Sequence, residues 1–306
     1  MAAVIAVPVE QGTPHKSTAR KVLDGVPFVL LHLVPLLAFL PGIEVRPIDW
    51  IVCGALYFVR MFGVTGAYHR YFSHRTYKTS RWFQFVLAFL AQSSSQKGAL
   101  WWAAHHRHHH KFSDQPEDVH SPVQRGLFYA HVGWMFDDTE ATDYAKIKDL
   151  AKYPELVWLN KYWWVPPTVL GFAVFLALGW SGLLIGFALS TVLLWHGTFT
   201  INSFTHVIGK RVYPTTDESR NSLFFALITM GEGWHNNHHY YQASTRQGFH
   251  WWQIDMTYYV LKMLSWVGLV WDLREPPKEV VEGTWRPSKH RDGVAAEGEA
   301  SLKQAA

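Results

Sequence analysis

Eight of the eighteen histidines in this 306-residue chain fall into three compact motifs. They are His69-Arg-Tyr-Phe-Ser-His74, then His106, His109 and His110 within the run 105–110, and His235-Asn-Asn-His-His239. On a helix, positions i, i+3 and i+4 share one face. Each HxxHH motif is therefore expected to present three imidazoles in one direction. Imidazole is the commonest metal ligand and suits iron, zinc, copper or nickel. A single histidine run can be an incidental metal sink. Two HxxHH motifs and an HxxxxH together predict a built metal site. The run also permits a second register, through His105, His108 and His109. His15, His32, His131, His250 and His290 carry no ligand spacing and read as surface or satisfied core residues. His120 and His196 are left open.

The elements that would position these motifs follow from the charge pattern. Trp163 to Gly209 contains no Asp, Glu, Lys or Arg, Val26 to Ile43 contains none, and Trp50 to Ala67 contains only Arg60. A helix crosses the hydrocarbon core with about 20 apolar residues. Four spans are expected, at about 26–45, 49–67, 163–180 and 183–204, with Gly179-Trp180-Ser181-Gly182 as the turn between the last two. The fold class is then all-α and integral to the membrane: one domain over 26–277, with flexible cytoplasmic tails at 1–25 and 278–306. The two exterior loops would hold one basic residue, Arg46. The positive-inside bias puts the tails and the histidine motifs on the cytoplasmic side, where a helical cap would hold a di-metal site. Sixteen Trp and thirteen Tyr suit a chain with much membrane interface. The segments Trp82–Leu100 and Trp251–Leu273 read as too short or too mixed to span. Arg60, within a span, is expected to pair with a neighbouring helix or to snorkel. The lone Cys53 excludes an internal disulfide and a cysteine-ligated iron–sulfur cluster. No cleaved signal peptide is read at the N-terminus, and no nucleic-acid motif is present.

The motifs resemble those of the membrane-bound fatty acyl desaturases, most closely the stearoyl-CoA (Δ9) group. The resemblance runs from about Trp50 to Pro276. It rests on His69-Arg-x-x-Ser-His-Arg75, His106-Arg-x-His-His-Lys-Phe-Ser113, Asn202-Ser-x-x-His206 and Gly231-Glu-Gly-x-His-Asn-x-His-His239. The Lys-Phe-Ser that follows the second motif favours the register His106, His109, His110. The resemblance implies two irons held by His69, His74, His106, His109, His110, His206, His235, His238 and His239, with Asn202 acting through a water. It also implies a buried acyl tunnel kinked at Gln96, Trp102 and Thr198, and hence insertion of a cis double bond near the middle of the chain, at Δ9. Asp114 and Glu232 lie beside the motifs and are expected to orient imidazoles; Asp118 reads equally as such a group or as surface charge.

The C–H bonds of a saturated chain are beyond any side-chain acid or base, so the reaction needs O₂ as co-substrate and a redox metal. No haem domain is read at either end of the sequence, and electrons are expected from a separate donor such as a ferredoxin or a cytochrome with its reductase. The other partners are the bilayer, a bacterial inner membrane if the source is prokaryotic, and a long-chain acyl substrate. The animal members of the group bind CoA through an Arg-Asp pair and an Arg-Lys pair. Here the first is Ala104-His105, and Gly133-Trp134 is followed by Asp137, Asp138 and Thr139. Acids in place of bases repel a phosphate-rich carrier, which leaves acyl-CoA, acyl carrier protein and intact phospholipid all open. A related di-iron hydroxylase of alkanes or fatty acids is the nearest rival. A metal transporter would carry its ligands along the transmembrane path, and these lie beyond the spans.

Overall fold

The computed structural model describes residues 17–137 and 141–286. Most of both expected tails lies outside these residues, as do His15, Asp138, Thr139 and His290. The elements that matter for the site are helices α1 (Thr18–Leu33), α2 (Pro47–Phe62), α3 (Arg81–Gln92) and α4 (Ala99–Phe112), followed by α5 (Leu127–His131) and α6 (Pro154–Lys161). Then come α7 (Val165–Ser181), α8 (Ser190–Ser203), α9 (His235–Tyr240) and α10 (Met256–Trp266). Two π-helical segments, Gly63–Ser73 and Gly182–Leu189, continue α2 and precede α8. Two-residue strands β1 (Lys78–Thr79) and β2 (Val270–Trp271) pair antiparallel, Lys78 opposite Trp271.

Three helical segments are long and apolar enough to cross a membrane: Thr18–Phe39, Pro47–Ser73 and Val165–His206. The first begins earlier than the sequence suggested. Ser17 caps α1 by accepting the Arg20 backbone N–H, so the helix starts inside the tail assigned to 1–25 and its apolar run ends at Phe39, before residue 45. The third segment has 42 residues, and a straight helix of that length would reach about 63 Å, twice the hydrocarbon thickness. It is not straight. Gly179 takes φ 72° and ψ −158°, a left-handed conformation that glycine adopts without steric cost. The two arms then run back along each other: a Cβ on Gly171 would meet the Phe187 ring at 3.2 Å, and one on Gly186 would meet Val174 at 3.7 Å. The expected turn is thus present at its first glycine.

The start of α2 is tied to this turn. Asp49 is fully buried and accepts from the Arg46 backbone N–H at 2.8 Å, while the Arg46 guanidinium also reaches the carbonyl of Leu178 at 2.6 Å. Arg60 pairs with the neighbouring helix, as its position predicted. Its guanidinium donates to Ser190 Oγ at 2.5 Å, to Thr191 Oγ1 at 2.6 Å and to the Ser93 carbonyl.

The main core lies between the first π segment and helices α3, α4 and α6. Tyr68, Phe72, Leu87, Leu100, Leu156 and Leu159 are buried there together. Each such side chain contributes roughly 1.5–3 kcal/mol through burial. Helix α3 turns Leu87, Ala88 and Ala91 inward and Trp82 outward, and α10 buries Leu261 while exposing Trp266. Both helices are short, 12 and 11 residues, and bury one side only, in keeping with their reading as non-spanning segments.

Candidate metal centre

His69 and His74 stand five residues apart. At about 100° per residue an α-helix would turn the second ring roughly 140° away from the first. The π segment removes that conflict. Its hydrogen bonds run from i to i+5, the His74 N–H donating to the His69 carbonyl at 3.2 Å, and the two rings lie 4.8 Å apart. The HxxxxH spacing is therefore matched to a π-helix, which the reading from sequence did not specify. His109 and His110 lie on the last turn of α4 and His106 one turn earlier, His206 follows α8, and His235, His238 and His239 lie on α9.

These nine imidazoles gather into two groups. His69, His74, His106, His110 and His238 form one, and His109, His206, His235 and His239 the other, with ligand nitrogens within 4.8 Å of each other in each group. The expectation that each HxxHH motif points all three rings one way is thus corrected. From position i, i+4 lies about 40° round the helix and i+3 about 60° round the other way. So His106 and His110 join one group while His109 joins the other; on α9, His235 and His239 stay together and His238 crosses over. His105 Nδ1 donates to the Trp101 carbonyl and His108 Nε2 to that of Glu117, which leaves these two members of the second register outside both groups.

The donor set fits metal ions. In the first group Nε2 atoms succeed one another at 2.9–3.0 Å, from His74 to His106 to His110 to His238 to His69, and His206 and His235 approach at 3.0 Å in the second. Imidazoles at right angles around an ion about 2.1 Å away are separated by roughly 3.0 Å, whereas a tetrahedral set is nearer 3.4 Å. The Nε2 of His239 is buried with no hydrogen-bond partner. Burial, with the neighbouring imidazoles adding to it, pushes His74, His106, His110, His235 and His238 well below the ordinary imidazole range. Burial thus favours the neutral ring, whose lone pair a cation can take.

Carboxylates fix the far side of the rings. Asp118 meets His109 Nδ1 at 2.9 Å, Asp114 meets His206 Nδ1 at 2.8 Å, Asp217 meets His239 Nδ1 at 2.6 Å and Glu232 meets His69 Nδ1 at 2.5 Å. Each contact accounts for the Nδ1 proton and turns Nε2 inward. Burial works to raise the Asp118 and Asp217 pKa values, but His109 and His239 outweigh it and hold both acids far below the usual carboxylate range. Asp118 is 2% exposed, so it is no surface charge. Asp217 was not singled out from sequence, because it sits in the 207–222 loop with no motif around it. Buried Arg70 and Asp255 were missed as well. Arg70 bridges Glu232 at 3.0 Å and Asp255 at 2.9 Å; its one readable signal was its place inside the first motif. Gly231 lets this network close: at φ 124° a Cβ there would lie 2.4 Å from Asp255 Oδ1. Asp217→Asn keeps the shape but loses the charge on His239. We expect a 10–100-fold loss of metal affinity, measured by chelator competition on the purified protein; an unchanged affinity would show that Asp217 does not support a ligand.

A cavity of about 380 Å³ reaches His106 of the first group and is lined also by Gln96, Trp102, Thr198 and Asn202, among others. Gln96 donates to Thr198 Oγ1 at 3.0 Å. Trp102 lies 4.8 Å from the His106 ring and 5.4 Å from that of Tyr68, stacked on both. The three residues expected at the kink all line this cavity. Ser95 and Lys97, on either side of Gln96, adopt φ 60° and 66°, uncommon for residues with a Cβ and typical of functional sites. A void of about 30 Å³ between Asn202, His69 and His106 is large enough for one water.

Comparison with known proteins gives a consistent picture. The model of the family described as fatty acid desaturase matches residues 48–270. The chain is 34% identical to an sn-1 stearoyl-lipid 9-desaturase of Synechocystis sp., over 82% of this chain and 79% of that one. It is 34% identical to an acyl-CoA C20 Δ5-desaturase of Anemone leveillei, over 88% of each chain. It is 36% identical to a chloroplastic palmitoyl-monogalactosyldiacylglycerol Δ7 desaturase of Arabidopsis thaliana, over 74% of this chain and 62% of that protein.

Proposed function

Since this chain belongs to the fatty acid desaturase family, a family of membrane oxidoreductases, we propose that it inserts a cis double bond at Δ9 of a saturated long-chain acyl group. The carrier is a lipid or CoA, the two classes named among the relatives. The observation that carries this reading is a pair of histidine groups, one of which reaches through His106 into an apolar cavity that Gln96, Trp102 and Thr198 also line.

In this reading the nine histidines hold two irons, with Asn202 acting through a water in the adjoining void. When bound, the irons supply the oxidising power, drawn from O₂, that an unactivated C–H bond demands. The chain's own residues do the positioning. Trp102, stacked between Tyr68 and His106, and the Gln96–Thr198 bond shape the bend, so that one pair of methylenes lies nearest the metals. The aromatic walls of Trp101, Trp134, Trp195 and Phe199 exclude water. Asp114, Asp118, Asp217 and Glu232 hold the Nδ1 protons of their histidines in place.

The topology follows from the same reading. α1, α2 and the two arms broken at Gly179 make four crossings. Both termini and both histidine groups then lie on the cytoplasmic side, where a separate ferredoxin or cytochrome delivers electrons. The exposed Trp251, Trp252, Trp266 and Val267 rest at the membrane surface on that side.

The test is fatty acid analysis of a bacterial host expressing the chain in air with a supplied reductase, double bonds being located by chemical tagging and mass spectrometry. A new Δ9 cis monoene, absent with His239→Ala, is the expected result. A hydroxylated product would replace this reading with an oxygenase, and a double bond elsewhere would refute the Δ9 assignment alone.

A further inference from the structure

Three histidines outside the metal groups form a continuous hydrogen-bonded line. His32 on α1 places Nδ1 2.7 Å from the Phe28 carbonyl and Nε2 2.9 Å from His196 Nε2 on α8. His196 Nδ1 lies 3.0 Å from His131 Nε2 at the end of α5, and His131 Nδ1 lies 2.9 Å from Ser203 Oγ. Ser203 Oγ in turn reaches the Phe199 carbonyl at 2.7 Å. Each contact needs one proton between its two atoms, and the carbonyls at the two ends can only accept.

The proton count decides the state of this line. It has five contacts, from the Phe28 carbonyl to the Phe199 carbonyl. Three neutral imidazoles and one hydroxyl bring four protons. Whichever way the tautomers are arranged, one contact is left with two acceptors facing each other. A fifth proton, making one of the rings an imidazolium, completes every contact at once.

The line also lies where it has mechanical leverage. No residue of α1 is buried, and Val22, Val29, Leu30 and Leu33 face outward. Among the described residues its polar and ring contacts include Lys21 with Asp137 at its start, Phe28 stacked on Trp195 at 5.3 Å and edge-on to Phe136, and His32 with His196. Yet Leu23, Asp24, Pro27 and Phe28 form one wall of the cavity.

We propose that His32, His196 and His131 bind one excess proton and thereby clasp α1 against α8 and α5, closing the α1 side of the cavity. Without that proton the clasp has a broken link and α1 is free to move from the wall. The rings otherwise touch Phe28, Trp195, Phe199 and Phe204. Of the charged groups on the packed elements, Asp24 pairs with Arg20, and Lys21 and Arg125 with Asp137. Cys53 and Tyr57 of α2 line the groove on the other side of His196. Burial lowers the His131 pKa from the usual imidazole value, so the clasp closes as pH falls into the acidic range and opens as pH rises.

Hydrogen exchange of the full-length, metal-loaded protein in lipid nanodiscs at pH 5.5 and 8.0, corrected for the intrinsic pH dependence, tests this. Exchange within residues 18–33 should slow about tenfold at the lower pH, since one unmade buried hydrogen bond costs on that order. The step should vanish in His196→Phe and in His32→Gln, while α3 changes in none of them. Equal exchange at both pH values in the unmodified protein would overturn the proposal. So would a step that survives either substitution, or one that spreads equally to α4, which would trace it to the metal centre. The readout does not involve turnover, so its failure leaves the desaturase reading untouched.

Discussion

Replacing His239 with alanine is expected to abolish desaturation while the chain remains inserted in the membrane. His239 belongs to the group of four imidazoles, its Nε2 is buried without a partner, and Asp217 holds its other nitrogen. Alanine leaves three proposed ligands there and an acid with nothing to orient. Metal content should fall by at least one equivalent per chain, measured by elemental analysis of the purified protein, and no new monoene should form in the host. His110→Ala attacks the other group and should give the same result. The side chains removed lie in the metal groups, away from the core around Leu87, Leu100 and Leu156, so yield in the membrane fraction should stay close to that of the parent. Parental activity in either variant would sink the proposed ligand set.

Arg70→Gln should be the most damaging change to stability. The guanidinium is 1% exposed and bonds to two carboxylates, Glu232 and Asp255, and to the Thr245 carbonyl. Removing it strands two buried acids. Breaking a buried ion pair from one side costs about 3–5 kcal/mol, which for a domain of this size lowers the melting temperature by roughly 10 °C. The consequence reaches the metal site, because Glu232 also holds His69 Nδ1. Thermal unfolding of the solubilised protein measures the shift, and a change within about 2 °C would show that the acids find other partners. Glu232→Gln with Arg70 intact should cost less, since the guanidinium keeps Asp255.

The parts of this molecule that repeat a short spacing were legible in the sequence. His106, His109 and His110, and His235, His238 and His239, announce themselves by helical spacing, and Gly179 by its place in an uncharged stretch. Gln96, Trp102, Thr198 and Asn202 have no such signature. They were named through the family resemblance, and they line one cavity. What was not legible depends on contacts between distant segments. Asp217 reaches His239 across 22 residues and Asp255 reaches Arg70 across 185, and neither has a local pattern. The π-helical turn between His69 and His74 could not be read because periodicity distinguishes strand from α-helix, and a single widened segment shifts the phase only locally. His32, His131 and His196 looked solitary, since each lies on a different element.

The division of each HxxHH motif between the two groups has a mechanical consequence. His109 and His110 are neighbours in the chain and belong to different groups, and so are His238 and His239. Successive Cα atoms are about 3.8 Å apart, and no loop intervenes. The gap between the two centres is therefore gauged twice by bonded backbone, once on α4 and once on α9, and a shift of either helix carries one ring of each neighbouring pair with the other. Surrounding loops can flex, and substrate can come and go, without altering that gauge.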